Sequence, residues 1–160
     1  MMLSLVRPTS GVISMFGYNI RTHRRQVLSN IGALIERPDF YDYLPAKKNL
    51  EIFGTLSQTP NLNYRIDETL ELVGLKDRAK SKVKTYSQGM KQRLGIAQAL
   101  LHQPKMIILD EPANGLDPQG LKEMRELIKT INKDKKITIF TFESYPQRNR
   151  RNGQPDGDYK

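Results

Sequence analysis

The chain predicts an α/β fold with a largely parallel sheet, and three observations predict it. Segments of strand character alternate with segments of helical period through most of the sequence. Lys105–Asp110 contains an unbroken apolar run, Met106–Leu109, as expected of a strand buried on both faces of a parallel sheet. Residues 37–85 show helical spacing with no strand among them, which predicts a helical insertion within the sheet's connectivity.

In chain order, Arg7, Pro8, Thr9, Ser10 and Gly11 read as a turn, and Val12–Phe16 as a short strand closed by Gly17. Val27–Ile35 is apolar, carries β-branched residues and contains another strand. Pro38 and Pro45 bracket an aromatic loop, Phe40–Tyr43. Ala46–Leu56 places Leu50, Phe53 and Leu56 at helical spacing, and Ile66–Val73 does the same with Ile66, Leu70 and Val73. Asn61–Asn63 reads as a loop, and Asp67 and Glu68 load acid into the first turn of that second helix. Ser87 is a good N-cap for a helix running to about His102, with Met90, Leu94, Ala97 and Leu101 inward and a stop at Gln103 and Pro104. Gln119–Ile131 is the next helix, with Leu121, Met124, Leu127, Ile128 and Ile131 inward. Lys136–Phe142 mixes β-branched and aromatic residues as a strand does. Residues 146–160, rich in Gln, Arg, Asn, Gly and Pro, have the composition of a disordered segment.

Hydrophobic residues make up 38% and charged residues 27% of the 160, which fits one globular domain with a core of its own. The absence of cysteine excludes disulfides and thiolate-bound metals and suits a reducing compartment. No apolar run approaches the ~18–20 residues of a membrane span, and no basic region followed by an apolar block marks a signal peptide. The net charge of +9 admits nucleic acid, an anionic membrane surface or phosphate ligands. Lys76, Arg78, Lys80, Lys82 and Lys84 form one basic run, read as a solvated face; Arg148, Arg150, Arg151 and Lys160 form another. Neither is interleaved with aromatic residues as a base-stacking surface would be, so no nucleic-acid partner is expected.

The chemistry concentrates between Thr85 and Pro118. The apolar strand Met106–Leu109 ends in two carboxylates, Asp110 and Glu111, followed by Pro112. In a parallel sheet the carboxyl ends of the strands are where ligands sit. An Asp there can hold Mg²⁺, and a second carboxylate one position on can orient or deprotonate a water. A bare Asp-Glu pair is more often two solvated acids, so the apolar run before it carries the weight. Upstream, Ser87 and the backbone N–H groups of a helix N-terminus form an anion site, and Gly89 has no side chain to obstruct a phosphate. Alone, Ser87 would be an ordinary N-cap. A helix of ~15 residues spans ~22 Å, enough to return the chain from that turn to the start of the strand, so one helix positions both features.

Tyr86 through Arg93, then Ile107 through Pro112, then Gly115, Leu116, Asp117 and Pro118, resemble the signature motif, Walker B strand and D-loop of ATP-binding cassette ATPases, the motor subunits of ABC transporters. Residues 31–50 resemble the family's Q-loop and the entry to its helical subdomain, with Glu36 where most members have a Gln that contacts Mg²⁺. Glu36 and the aromatic loop after it resemble the bacitracin- and lantibiotic-resistance exporters in particular. The resemblance implies a P-loop NTPase-like parallel sheet with a helical subdomain: partial nucleotide-binding core at 1–36, helical subdomain at 37–85, core again at 86–142, and a divergent tail at 143–160. It implies that Asp110 holds Mg²⁺, that Glu111 polarises the attacking water, and that Ser87 and Gly89 contact the γ-phosphate of ATP bound by an opposing subunit. Asp117 would bridge the dimer, and loop 37–45 would touch a transmembrane permease subunit. Gln88 stands where Gly is commoner. The cofactors implied are ATP and Mg²⁺, and the place is the cytoplasmic side of the cell membrane, peripherally attached.

The resemblance covers about residues 1–142 and departs from the family at both ends. No G-x-x-x-x-G-K-[ST] occurs in the 160 residues, so the phosphate cradle and its Lys are missing. Glu143, Ser144 and Tyr145 stand where the switch His would follow Ile137–Phe142. The expectation is a truncated gene copy with its last codons read out of frame, inactive alone, and with an empty place beside the Lys105–Asp110 strand where the P-loop strand should lie. A non-catalytic partner that completes the site of an intact subunit stays open, as does a basic nucleic-acid-associated ATPase of the same family.

Overall fold

The computed structural model describes residues 9–35 and 38–143. Glu36 and the tail beyond Glu143 lie outside them, as does the turn's start at Arg7 and Pro8. The chain opens with a small antiparallel hairpin, β1 (Ser14–Met15) and β2 (Tyr18–Asn19), followed by a short helix α1 (Arg24–Leu28). Gly17, at φ +81°, makes the turn. The expected strand at Val12–Phe16 is thus only one arm of a hairpin, and Val27 belongs to α1.

The main sheet has three parallel strands in the order β3 (Ile31–Leu34), β4 (Met106–Asp110), β5 (Thr138–Phe142). Ile31 pairs with Met106 and Met106 with Thr138, which fixes the register across the sheet. The apolar core of β4 is buried, as its unbroken pattern requires. The expectation of an empty place beside β4 is overturned: β3 and β5 occupy both of its edges. Among the described residues the outer edges of β3 and β5 are unpaired, and on β5 Phe140 and Phe142 are exposed.

Between β3 and β4 come α2 (Ala46–Leu56), α3 (Leu62–Leu72) and α4 (Gln88–Leu100), with no strand among them; α5 (Pro118–Lys135) follows β4. Helix α3 begins four residues earlier than its apolar spacing marks, behind Asn61 at φ 51°, so Asp67 and Glu68 fall in its second turn and not its first. In α2, Leu50 is buried and Phe53 packs partly, but Leu56 is 76% exposed, because the inward stripe runs through Ala46, Asn49, Leu50 and Gly54. Helix α4 is the centre of the molecule. Leu94, Ala97 and Leu101 are buried as their spacing predicts, and so are Ile96, Ala99 and Leu100 on its other sides. Met90, near its start, is only half-buried.

Two contacts fix α4. At Gly32 a β-carbon would meet the carbonyl oxygen of Ala99 at 2.3 Å, so β3 and α4 touch backbone to backbone. At the helix's far end Arg65 is buried and caps it: Nε donates to Leu101 O (3.1 Å) and Nη2 to Leu100 O (2.8 Å). Glu68 pairs with Arg65 and with Lys135 of α5, and the Lys135 hydrogen bond, ahead of the charge of Arg65, holds its carboxyl below the usual carboxylate range. His102, just beyond α4, hydrogen-bonds Ile31 O at 3.2 Å. Its burial depresses its pKa, against the opposing effect of that backbone bond.

Two outcomes follow. Gly32→Ala forces a backbone contact apart and should destabilise by about 1–3 kcal/mol in denaturant titration; Gly95→Ala, whose closest contact is the movable end of Leu34, should cost less. Because His102 is depressed on folding, the unfolded chain takes up its proton first as pH falls through 6.5. Its contribution is therefore present above pH 6.5 and lost as the pH falls from there through the depressed folded value, above the range where Glu68 is lost. The denaturation midpoint should fall across that window, and His102→Gln should flatten the slope.

Candidate functional site

The site grows from the start of α4 and the end of β4. Ser87 is the N-cap of α4, extended at ψ 165°, and its Oγ accepts the Met90 N–H at 3.3 Å. Helix geometry leaves the amides of Gln88 and Gly89 without intrahelical acceptors, and they sit at the positive end of the helix dipole. Tyr86 anchors the turn from behind. It is buried, its hydroxyl donates to Arg78 O at 2.8 Å, and the Arg78 guanidinium lies 5.9 Å from its ring centre. Burial raises the pKa of its phenol. The neighbouring lysines Lys80, Lys82 and Lys84 are exposed, as a solvated face should be.

Facing this turn is the start of α5. Asp117 is the N-cap there, its Oδ1 accepting the Gly120 N–H at 3.0 Å, with Pro118 in the first helical turn. Between the two helix starts lies an open cleft of about 490 Å³ lined by Ser87, Gln88, Gly89, Arg93, Asp117 and Gly120, among others. Four of the sequence-predicted residues, Ser87, Gln88, Gly89 and Asp117, are therefore brought together.

Asp110 and Glu111 are placed elsewhere. Asp110 ends β4, half-buried. Glu111 has φ 48°, a left-handed conformation that costs a non-glycine residue on the order of 1 kcal/mol or more. Its N–H donates to Phe142 O at 2.8 Å, so the backbone turns sharply as the strand ends. Its side chain lines a separate recess of about 150 Å³ with Asn114, Arg125 and Glu143. Ser87 and Glu111 thus open onto different spaces of one chain. Among the described residues no group of three or more His, Cys, Asp or Glu could hold a metal unaided. A single carboxylate at a strand end fits Mg²⁺ of the kind that draws its other ligands from water and phosphates.

Sequence reasoning missed Asn49. It is fully buried in α2, and its side chain accepts Tyr41 N–H (2.8 Å) and donates to Tyr41 O and Pro45 O (both 3.1 Å). It thereby shapes the aromatic loop, leaving Tyr43 65% exposed. An Asn inside an apolar helical stripe was the available signal. The same loop reaches α4: Asp42 pairs with Lys91 at 2.9 Å, and Asp42 O accepts Lys84 N–H.

These elements, in this order, define an ATP-binding cassette subunit. The ABC transporter family model matches residues 1–114, and the chain belongs to that family. It is 51% identical over 140 residues to the bacitracin transport ATP-binding protein BcrA of Bacillus licheniformis, covering 88% of this chain and 45% of that protein. It is 43% identical over 136 residues to the lantibiotic transport ATP-binding protein SrtF of Streptococcus pyogenes, covering 85% of this chain and 57% of SrtF. The chain spans about half the length of these relatives. Among solved structures, cbiO1 of Clostridium perfringens, part of the ABC transporter complex cbiONQ, matches with a TM-score of 0.78 at 27% identity, over 88% of this chain and 58% of cbiO1. No helix among the described residues is long and apolar enough to cross a membrane.

Proposed function

We propose that this chain serves as an ATP-binding subunit of an export-type ABC transporter, acting within a pair of such subunits on the cytoplasmic face of the membrane. The observation that carries this is the cleft at the start of α4, where Ser87 and the amides of Gln88 and Gly89 face open space beside Asp117. That turn is built to receive an anion, and the Glu111 carboxylate that would act on a water opens elsewhere. The separation is what a site shared between two subunits requires: Ser87 and Gly89 meet the terminal phosphate of ATP held by the partner subunit, with Asp117 at the boundary.

Within the chain's own half-site, Asp110 would hold Mg²⁺ and Glu111 would orient and polarise a water; Glu36 is assigned to the same ion on the resemblance of its sequence alone. Mg²⁺, when bound, supplies charge neutralisation of the phosphates. Loop 37–45, with exposed Tyr41 and Tyr43, would meet the transmembrane permease subunit. The relatives transport bacitracin and a lantibiotic, so an amphiphilic peptide antibiotic is the cargo class we assign.

Alone, the chain should show no saturable ATP binding in the micromolar range by calorimetry. Mixed with a P-loop-bearing subunit such as BcrA, it should associate in an ATP-dependent way, and Ser87→Ala should weaken that association about tenfold or more, the loss of one charge-assisted hydrogen bond. No ATP-dependent association with such a subunit, or indifference of that association to Ser87→Ala, would contradict the proposal.

A further inference from the structure

Asn114 stands between the cleft of Ser87 and the recess of Glu111. Its side-chain Nδ2 donates to Glu111 Oε2 at 2.7 Å. Its carbonyl oxygen accepts two side-chain amides from the start of α4, Gln88 Nε2 at 2.9 Å and Gln92 Nε2 at 3.0 Å. A carbonyl has two lone pairs and can hold both. Gln88 and Gln92 are four residues apart and so share one face of the helix.

Other features single out this connection. Gln92 is 6% exposed, and among the described residues its Oε1 has no hydrogen-bond partner, so the Asn114 carbonyl is that amide's anchor. Gly115, next along, has φ +72°, and a β-carbon there would come within 2.7 Å of Gln88 Nε2. The loop is shaped to admit the Gln88 side chain. The backbone of Glu111 is already fixed by its bond to Phe142 O, so the carboxylate's placement is left to its own torsions and to what binds it.

We propose that Asn114 is a positioning residue for Glu111, latched to the first turns of α4 by Gln88 and Gln92, so that movement of the Ser87–Gly89 turn is passed to the Glu111 carboxylate. A Gly at position 88 could reach nothing, and half of the latch would be gone. The meaning of the coupling rests on the role proposed above for Glu111 toward water; the coupling itself does not.

It is tested on the full, uniformly labelled chain by NMR of the Glu111 side-chain carboxyl carbon and the Asn114 side-chain amide. Asn114→Ala should shift the Glu111 carboxyl resonance. Gln88→Gly, at an exposed position, should move the Asn114 amide and shift the Glu111 resonance in the same direction by a smaller amount. Gln119→Ala, on the same cleft but bonded to Glu123, should leave both in place. If Gln88→Gly and Gln92→Met leave the Glu111 resonance where it was, the latch is refuted. Should Asn114→Ala disturb the fold, Gln88→Gly and Gln92→Met decide without it. Failure of ATP-dependent association would leave these resonances unaffected, so the two proposals fail separately.

Discussion

At Gly32 there is no room for a β-carbon, because the carbonyl oxygen of Ala99 lies 2.3 Å from where it would be. That contact brings β3 against α4 without side chains between them. With it go the depth at which α4 is buried and the angle at which its first turn emerges. Arg65 holds the other end through two carbonyls, and its own charge is balanced by Glu68. A buried guanidinium without that carboxylate would be costly, so α3, α4 and α5 are tied by one ionic cluster. The helix that presents Ser87 is therefore fixed by backbone contact at the sheet and by charge at its far end.

What the sheet contributes is the ending of β4. Paired on both edges, the strand cannot drift, and Glu111 turns through a left-handed conformation while its N–H bonds the last residue of β5. Two adjacent carboxylates are thereby sent in different directions. Asp110 stays at the strand's end and Glu111 enters a recess beside α5. In a chain of net charge +9, these acids lie where the fold places them and not where the bulk charge would suggest.

Much of this was legible in the residues. Ser87 as a cap, the unbroken apolar strand and the helical period of α2 to α5 each state a local preference that the tertiary structure agrees with. The misses have physical causes. Leu56 sits at a helical position whose face turns to solvent, because the inward stripe is set by small residues, Ala46 and Gly54, that no hydrophobicity pattern marks. The neighbour of β4 could not be read, since strand order is a long-range property and β5 lies some thirty residues downstream. Asn49 and Asn114 escaped notice because their importance lies in hydrogen bonds to backbone and to residues distant in sequence. Glu36 lies outside the described residues.

The central claim is that the Ser87–Gly89 turn meets a terminal phosphate bound by a second subunit. Vanadate trapped in place of that phosphate cleaves nearby backbone when irradiated, so the cut sites map its surroundings. In a mixture of this chain with a P-loop-bearing subunit, ATP and vanadate, the account predicts cleavage of this chain at Ser87, dependent on the partner. Cleavage confined to the partner, or to positions in this chain away from Ser87, would contradict it.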